Sequence, residues 1–228
     1  MLSLYRAERL VANTTKRPQP PHSRLVLSAA RDVLRPLGLM QLGRSRLWID
    51  DRAWWTVVVE FQPGAFAKGS FLNVGVSWLW YVKDYWSFDV GHRVEPFTEF
   101  ESAEQFRPVA EQLAERAART ISEYRGMFNT VDKAAGYLSK QAAKSVWALY
   151  DAAVATGLAG DFAASARFFT EIESYPTSHD WEKEVQDRAK ALSLHLHDAR
   201  DFHPAVTEVV NESRERHKLP KLSRISFE

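Results

Sequence analysis

The spacing of apolar positions changes twice along the chain. Val26, Ala30, Val33 and Leu37 recur at helical intervals, which predicts a helix over 23–35 that Ser23 caps and Pro36 and Gly38 end. Between 46 and 100 the period falls to two. Segments 46–49, 53–62, 71–82 and 85–90 are rich in β-branched and aromatic residues and read as strands. Asp50-Asp51-Arg52, Pro63-Gly64 and Lys83-Asp84 separate them as turns. Such short connections leave no room for crossover helices, so an antiparallel meander of about four strands is expected. After 102 the helical period returns. Ser102 and Gln105 have the spacing of a capping box, and Ala110, Leu113, Ala114, Ala117, Ile121 and Tyr124 form one stripe of a helix over 103–125, stopped at Gly126. Further helices are expected over 131–156 (loosened near Gly136), 162–174 (capped by Asp161, closed by Pro176), 180–199 and 204–217, the last opening at Pro204.

These elements define an α+β fold: a helix and an antiparallel sheet, then an all-helical C-terminal half. Strand alternation divides the sheet into a dry side and a mixed side. Val57, Val59 and Phe61, with Leu72, Val74, Val76, Trp78, Trp80 and Val82, face one way and need a cover, which the helices at 23–35 and 103–125 can supply. Glu60, Gln62, Asn73 and Ser77 face the other way, in the company of Phe71 and Tyr81. Polar groups among aromatics are what ligand pockets and protein hot spots use, and the same pattern also fits a plain solvated sheet face. Trp54 and Trp55 must point to opposite sides of a strand, so one is left for core or interface. The candidate binding site is therefore Glu60, Gln62, Asn73, Ser77, Tyr81 and Trp55.

Four regions follow: a basic arm over 1–22, whose Pro18, Pro20 and Pro21 resist helix; the sheet domain, 23–126; a helical extension, 127–217; and a basic tail, 218–228, expected to be mobile. The chain has 228 residues, 45% hydrophobic and 26% charged, and a formal net charge of +1, so no global field draws it to nucleic acid or a membrane surface. The charge is uneven, however. Residues 1–47 hold nine Lys/Arg against the acids Glu8 and Asp32, while 48–100 hold four against seven. There is no cysteine, which removes disulfides, thiolate nucleophiles and Cys-based zinc sites together. No signal-peptide run and no membrane-spanning run is visible, and a cytoplasmic location is the simplest expectation.

The phrase Pro36-Leu37-Gly38-Leu39, the strand residue Trp48, the strand ending at Gln62 and the motif Asn73-Val74-Gly75 resemble a family of small bacterial domains of unknown function, over about 25–90. The resemblance implies binding rather than chemistry, as performed by immunity or interaction proteins of bacterial conflict systems. The additional Trp residues and the helical C-terminal half depart from that pattern. Leu149 to Val154, the Gly160-Asp161-Phe162 turn, Ser165, Phe169, Ile172 and Pro176 resemble one tetratricopeptide repeat. No second copy is visible, so this implies a helical hairpin with that packing logic rather than a solenoid.

Chemical motifs are sparse. His195, His197, Asp198, Asp201 and His203 are the densest possible metal ligands, yet His195 and His197 lie about 200° apart on a helix and cannot share an ion. The loop Gly64-Ala65-Phe66-Ala67-Lys68-Gly69-Ser70 lacks Walker order, and Asp50 and Asp51 are turn neighbours rather than a flanking carboxylate pair. Neither a cofactor nor a metal is expected. Six of the eight Trp lie between Trp48 and Trp86 and can stack on bases, but the acidic balance of 48–100 opposes nucleic acid. The expected partner is another protein. The alternatives are a small-ligand protein or enzyme with a pocket around Glu60, lidded by 63–70, and nucleic-acid binding through the basic arm and the Trp residues.

Overall fold

The computed structural model describes residues 19–227, so most of the expected arm lies outside the described residues. The fold is α+β. Helix α1 (Pro21–Leu34) leads into strands β1 (Met40–Gln41), β2 (Leu47–Asp51), β3 (Trp55–Glu60), β4 (Gly69–Trp78) and β5 (Val90–Glu99), which pair in sequence order as one antiparallel sheet. Helices α2 (Ala103–Met127), α3 (Val131–Ser139), α4 (Val146–Leu158), α5 (Phe162–Glu173), α6 (Asp180–Ser193) and α7 (Ala199–Arg216) follow.

The chain divides into two compact units. Residues up to Ser77 with Lys83–Tyr124 form a sheet unit; Trp78–Val82 with the chain from Arg125 onward form a helical unit. The transfer of Trp78–Val82 to the helical unit is not visible in the sequence. Period two cannot mark where a strand leaves its sheet when both of its sides are buried, and Trp78 through Val82 are all buried.

In the sheet unit, α1 opens on Pro21, whose missing amide costs nothing at a helix start. Ser23, expected as the cap, instead lies inside the helix, and its hydroxyl receives a hydrogen bond from Arg46. Gly38, at φ +88°, turns the chain after α1, and the Leu39 amide donates back to the Leu34 carbonyl. The dry side of the sheet is as expected: Val57, Val59, Phe61, Leu72, Val74 and Val76 are fully buried. Helix α1 contributes Val26, Ala30 and Leu34 to this core, and α2 contributes Phe106, Ala110, Ala114, Ala117 and Ile121. Each fully buried Val, Leu, Ile or Phe among them stabilises by about 1.5–3 kcal/mol, and each alanine by less. Phe100, just past β5, links the two helices by touching the His22 ring at 5.6 Å and the Phe106 ring at 5.4 Å. Ser102 accepts from the Gln105 amide and starts α2 as the capping spacing predicts.

Two differences in the sheet matter for function. Residues 85–89 of the expected strand 85–90 are not strand; their aromatics form a cover, described below. The last strand is β5 instead, which the sequence hides because Pro96 interrupts it. Proline is tolerated there because β5 is an edge strand.

In the helical unit, α4 is buried nearly all round, with α3, α5, α6 and α7 packed against it. The Gly160-Asp161 turn is formed as expected: Gly160 has φ +83°, and Asp161 accepts from the Ala164 amide at 3.0 Å. The α4–α5 hairpin thus exists. The expected helix over 131–156 is broken at 140–145 rather than at Gly136, because extended Ser145 caps α4 by accepting from the Ala148 amide. Similarly α7 starts at Ala199, ahead of Pro204, because Asp198 accepts from the amides of both Arg200 and Asp201. The basic tail is not a loose end over its described length. Leu219, Ile225 and Phe227 are buried, Asn211 exchanges hydrogen bonds with Leu222, and Arg214 donates to the Pro220 carbonyl. Among the described residues, no helix is long and apolar enough to cross a membrane.

Candidate functional site

The polar side of the sheet has two ends with different surroundings. Strand β4 runs between β3 and β5, and its Asn73 sits opposite Arg93 of β5. Asn73 Nδ2 donates to Glu60 Oε2 and to Gln62 Oε1, each at 2.9 Å. Arg93 Nη2 donates to Gln62 Oε1 at 2.9 Å and Nε donates to Asn73 Oδ1 at 3.3 Å. The Arg93 guanidinium also lies 3.9 Å from the centre of the Phe71 ring, which in turn packs against Phe97 at 5.0 Å. Glu60, Gln62, Phe71 and Asn73 are half-buried and Arg93 is exposed. Three strands therefore hold one polar–aromatic cluster open to solvent.

The loop between β3 and β4 rises beside it. Phe97 lies against the base of this loop: a Cβ added at Gly64 or Gly69 would come within 2.6 Å of its ring. Phe100 closes the base by donating its amide to the Lys68 carbonyl. At the tip stands Phe66, fully exposed.

The other end of the same side is covered by the chain returning to β5. Ser87 meets the Ser77 hydroxyl at 2.9 Å, Lys83 donates to Ser87 and pairs with Asp89 at 2.6 Å, and the Asp89 amide donates to the Val76 carbonyl. Phe88 lies over Gly75, where an added Cβ would approach the ring at 2.7 Å and the Val90 carbonyl at 2.5 Å. That is the physical content of the Asn73-Val74-Gly75 motif. Its Asn gathers the open cluster, and its Gly admits the cover.

The six expected site residues therefore separate. Glu60, Gln62 and Asn73 come together. Ser77 is on the expected side but only 1% exposed, under the 83–89 cover. Trp55 is 2% exposed and in β3 shares the side of Val57, facing away from Glu60. Tyr81 belongs to the helical unit, where it meets the rings of Trp147 at 4.3 Å and Tyr150 at 5.3 Å. These three are structural, because buried side chains held by their own neighbours offer no surface. The sequence reading missed Arg93, Phe97 and the presentation of Phe66. A partial signal for β5 exists in Val90, Val94, Phe97 and Thr98, but Pro96 among them leaves edge strand and non-strand equally open.

The possible metal ligands have other engagements. His195 Nδ1 lies 3.1 Å from Asp201 Oδ1, Asp198 caps α7, and His203 Nε2 lies 3.1 Å from the Leu158 carbonyl. Among the described residues no three His, Asp or Glu side chains gather in a way that could hold an ion.

Fold and site together define an α+β protein with an open polar–aromatic sheet surface. Compared with protein-family models, with curated proteins and with solved structures, the chain matches none.

Proposed function

We propose that the chain is a non-catalytic protein-binding module of the immunity or interaction type, docking its partner on the open end of the sheet. The observation that carries this reading is Phe66, fully exposed at the tip of a loop whose base is fixed by Phe97, beside the ordered Arg93–Asn73–Gln62–Glu60 cluster. An aromatic anchor next to an arginine already held in one geometry is the usual make-up of an interface hot spot, since little side-chain freedom remains to be lost on binding. The cluster lies on an open strand surface rather than in a closed cavity, which favours a protein over a small ligand. The test is a photo-reactive residue at position 66, introduced in the native host. One stoichiometric cross-linked protein, lost in Arg93→Ala, is the expected result. A chain that cross-links to nothing and co-purifies with a metabolite would replace this reading with the pocket.

A further inference from the structure

A second feature of the sheet unit involves none of the residues above. A cleft of about 570 Å³ lies between α1 and the turn joining β1 to β2. Arg31 and Arg35, four residues apart on one helix face, line it from one side, and Arg44 lines it from the turn; Gln19 and Gln41 add amides, and Leu27 is apolar lining. The turn is well defined. Gly43 adopts φ +57°, the Ser45 amide donates to the Leu42 carbonyl at 3.0 Å, and Gln41 Nε2 donates to the Ser45 carbonyl at 2.7 Å. With its amide nitrogen so engaged, Gln41 keeps its side-chain oxygen as an acceptor.

The three guanidiniums have neither a hydrogen bond nor an ion pair with another described residue. Arg46, two residues beyond Arg44, shows the contrast. It donates to the carbonyls of Phe61 and Gly69 and to the Ser23 hydroxyl, joining α1 to the sheet. The fold thus satisfies the arginine it uses for structure and leaves three others converging on an open cleft without a carboxylate among its described lining residues. Like charges so placed repel one another, and an anion bridging them relieves the repulsion.

We infer that this cleft binds a small molecule carrying a diphosphate group. Guanidinium forks match phosphate oxygens in pairs, three of them balance the charge of a diphosphate, and the volume is that of a small-molecule site. The Gln41 oxygen is placed to accept from a hydroxyl of the same ligand. The guanidiniums are exposed and have no polar partner among the described residues, so their replacement is expected to leave the fold intact.

Calorimetric titration of the full chain with inorganic pyrophosphate at low salt tests this. One saturable site is expected, with affinity at least about tenfold lower in Arg31→Gln, Arg35→Gln and Arg44→Gln. Arg24→Gln, on the same helix but outside the cleft, leaves binding unchanged. Should Arg44→Gln unfold, Arg44→Lys keeps the charge and still weakens binding, because lysine lacks the fork. Heat that does not saturate at millimolar pyrophosphate overturns the inference, as does an Arg24→Gln loss equal to that of Arg44→Gln. Binding of a single-stranded oligonucleotide that strengthens with length, with none to pyrophosphate, would assign the cleft to a polymer and overturn it too.

Discussion

The protein contains two polar–aromatic clusters built from similar parts, one in each unit, and burial gives them opposite roles. In the helical unit, Trp80 Nε1 donates to Asp151 at 2.8 Å, and the Tyr150 hydroxyl donates to the Trp80 carbonyl at 3.1 Å. Trp78 stacks on Trp80 at 4.7 Å and meets the edge of Phe128 at 5.1 Å. All of these groups are buried. In the sheet unit, Glu60, Gln62, Asn73 and Arg93 form an equally connected network beside Phe71, but each keeps a side toward water. A polar group sealed from water must keep its partner, since none can be borrowed from solvent. A polar group at the surface can exchange its partner for one on another molecule. The buried cluster therefore fixes the fold, and the open one is available for recognition.

The largest effect expected from this contrast is at Trp80. Trp80→Ala removes a fully buried indole and destabilises by about 3–5 kcal/mol. Asp151→Ala takes away an acceptor of the indole N–H and costs about 1–3 kcal/mol. Denaturant unfolding followed by Trp fluorescence measures both. A loss under about 0.5 kcal/mol at Asp151 would erase the distinction between the clusters, since that is the range of ordinary surface changes.

Tyr150 extends the contrast to pH. Burial pushes its phenol far above the usual tyrosine value, with Tyr81 and Asp151 adding to the shift. The unfolded chain therefore ionises this tyrosine first. Its contribution is complete below the unfolded value near pH 10 and declines as pH rises further, by about 1.4 kcal/mol per unit. Unfolding midpoints recorded from about pH 9 to 11 check this, with the ordinary tyrosine value as reference. Tyr150→Phe is expected to start less stable, lacking the bond to the Trp80 carbonyl, and to show a shallower alkaline decline. Equal slopes in the two proteins would place the alkaline loss elsewhere.

How much of this was legible in the sequence depends on how one-sided each pattern is. The dry side of the sheet is readable because Val57, Val59 and Phe61 alternate with Val58, Glu60 and Gln62. The meeting of Glu60 with Asn73 follows from the same alternation across paired strands. Ser77 obeys the alternation yet is covered, because alternation assigns a side and is silent on what later folds over it. The aromatics of 85–90 looked like strand residues, yet Phe88 lies on Gly75. Hydrophobicity marks what will be buried without saying whether strand or cover buries it. The excursion of Trp78–Val82 was hidden for the same reason. Strand β5 was obscured by Pro96, and with it went Arg93, the residue that completes the cluster.

The smallest expected effects sharpen the comparison most. Asn73→Ala removes the amide that gathers Glu60 and Gln62, but both of these can turn to water. It should cost about 1 kcal/mol or less, within the net range of a solvent-accessible hydrogen bond. Phe66→Ala should change stability by less than about 0.5 kcal/mol, because its ring contributes no buried area to the fold. If Phe66→Ala proves as damaging as Asp151→Ala, the exposed ring is part of the fold and the open end of the sheet is not free for docking. If it leaves stability untouched while cross-linking through a neighbouring loop position such as Ala65 disappears, the ring serves a partner. A single exposed phenylalanine is ordinary on a protein surface, so this pair of outcomes, and not exposure by itself, decides whether the ring serves a partner.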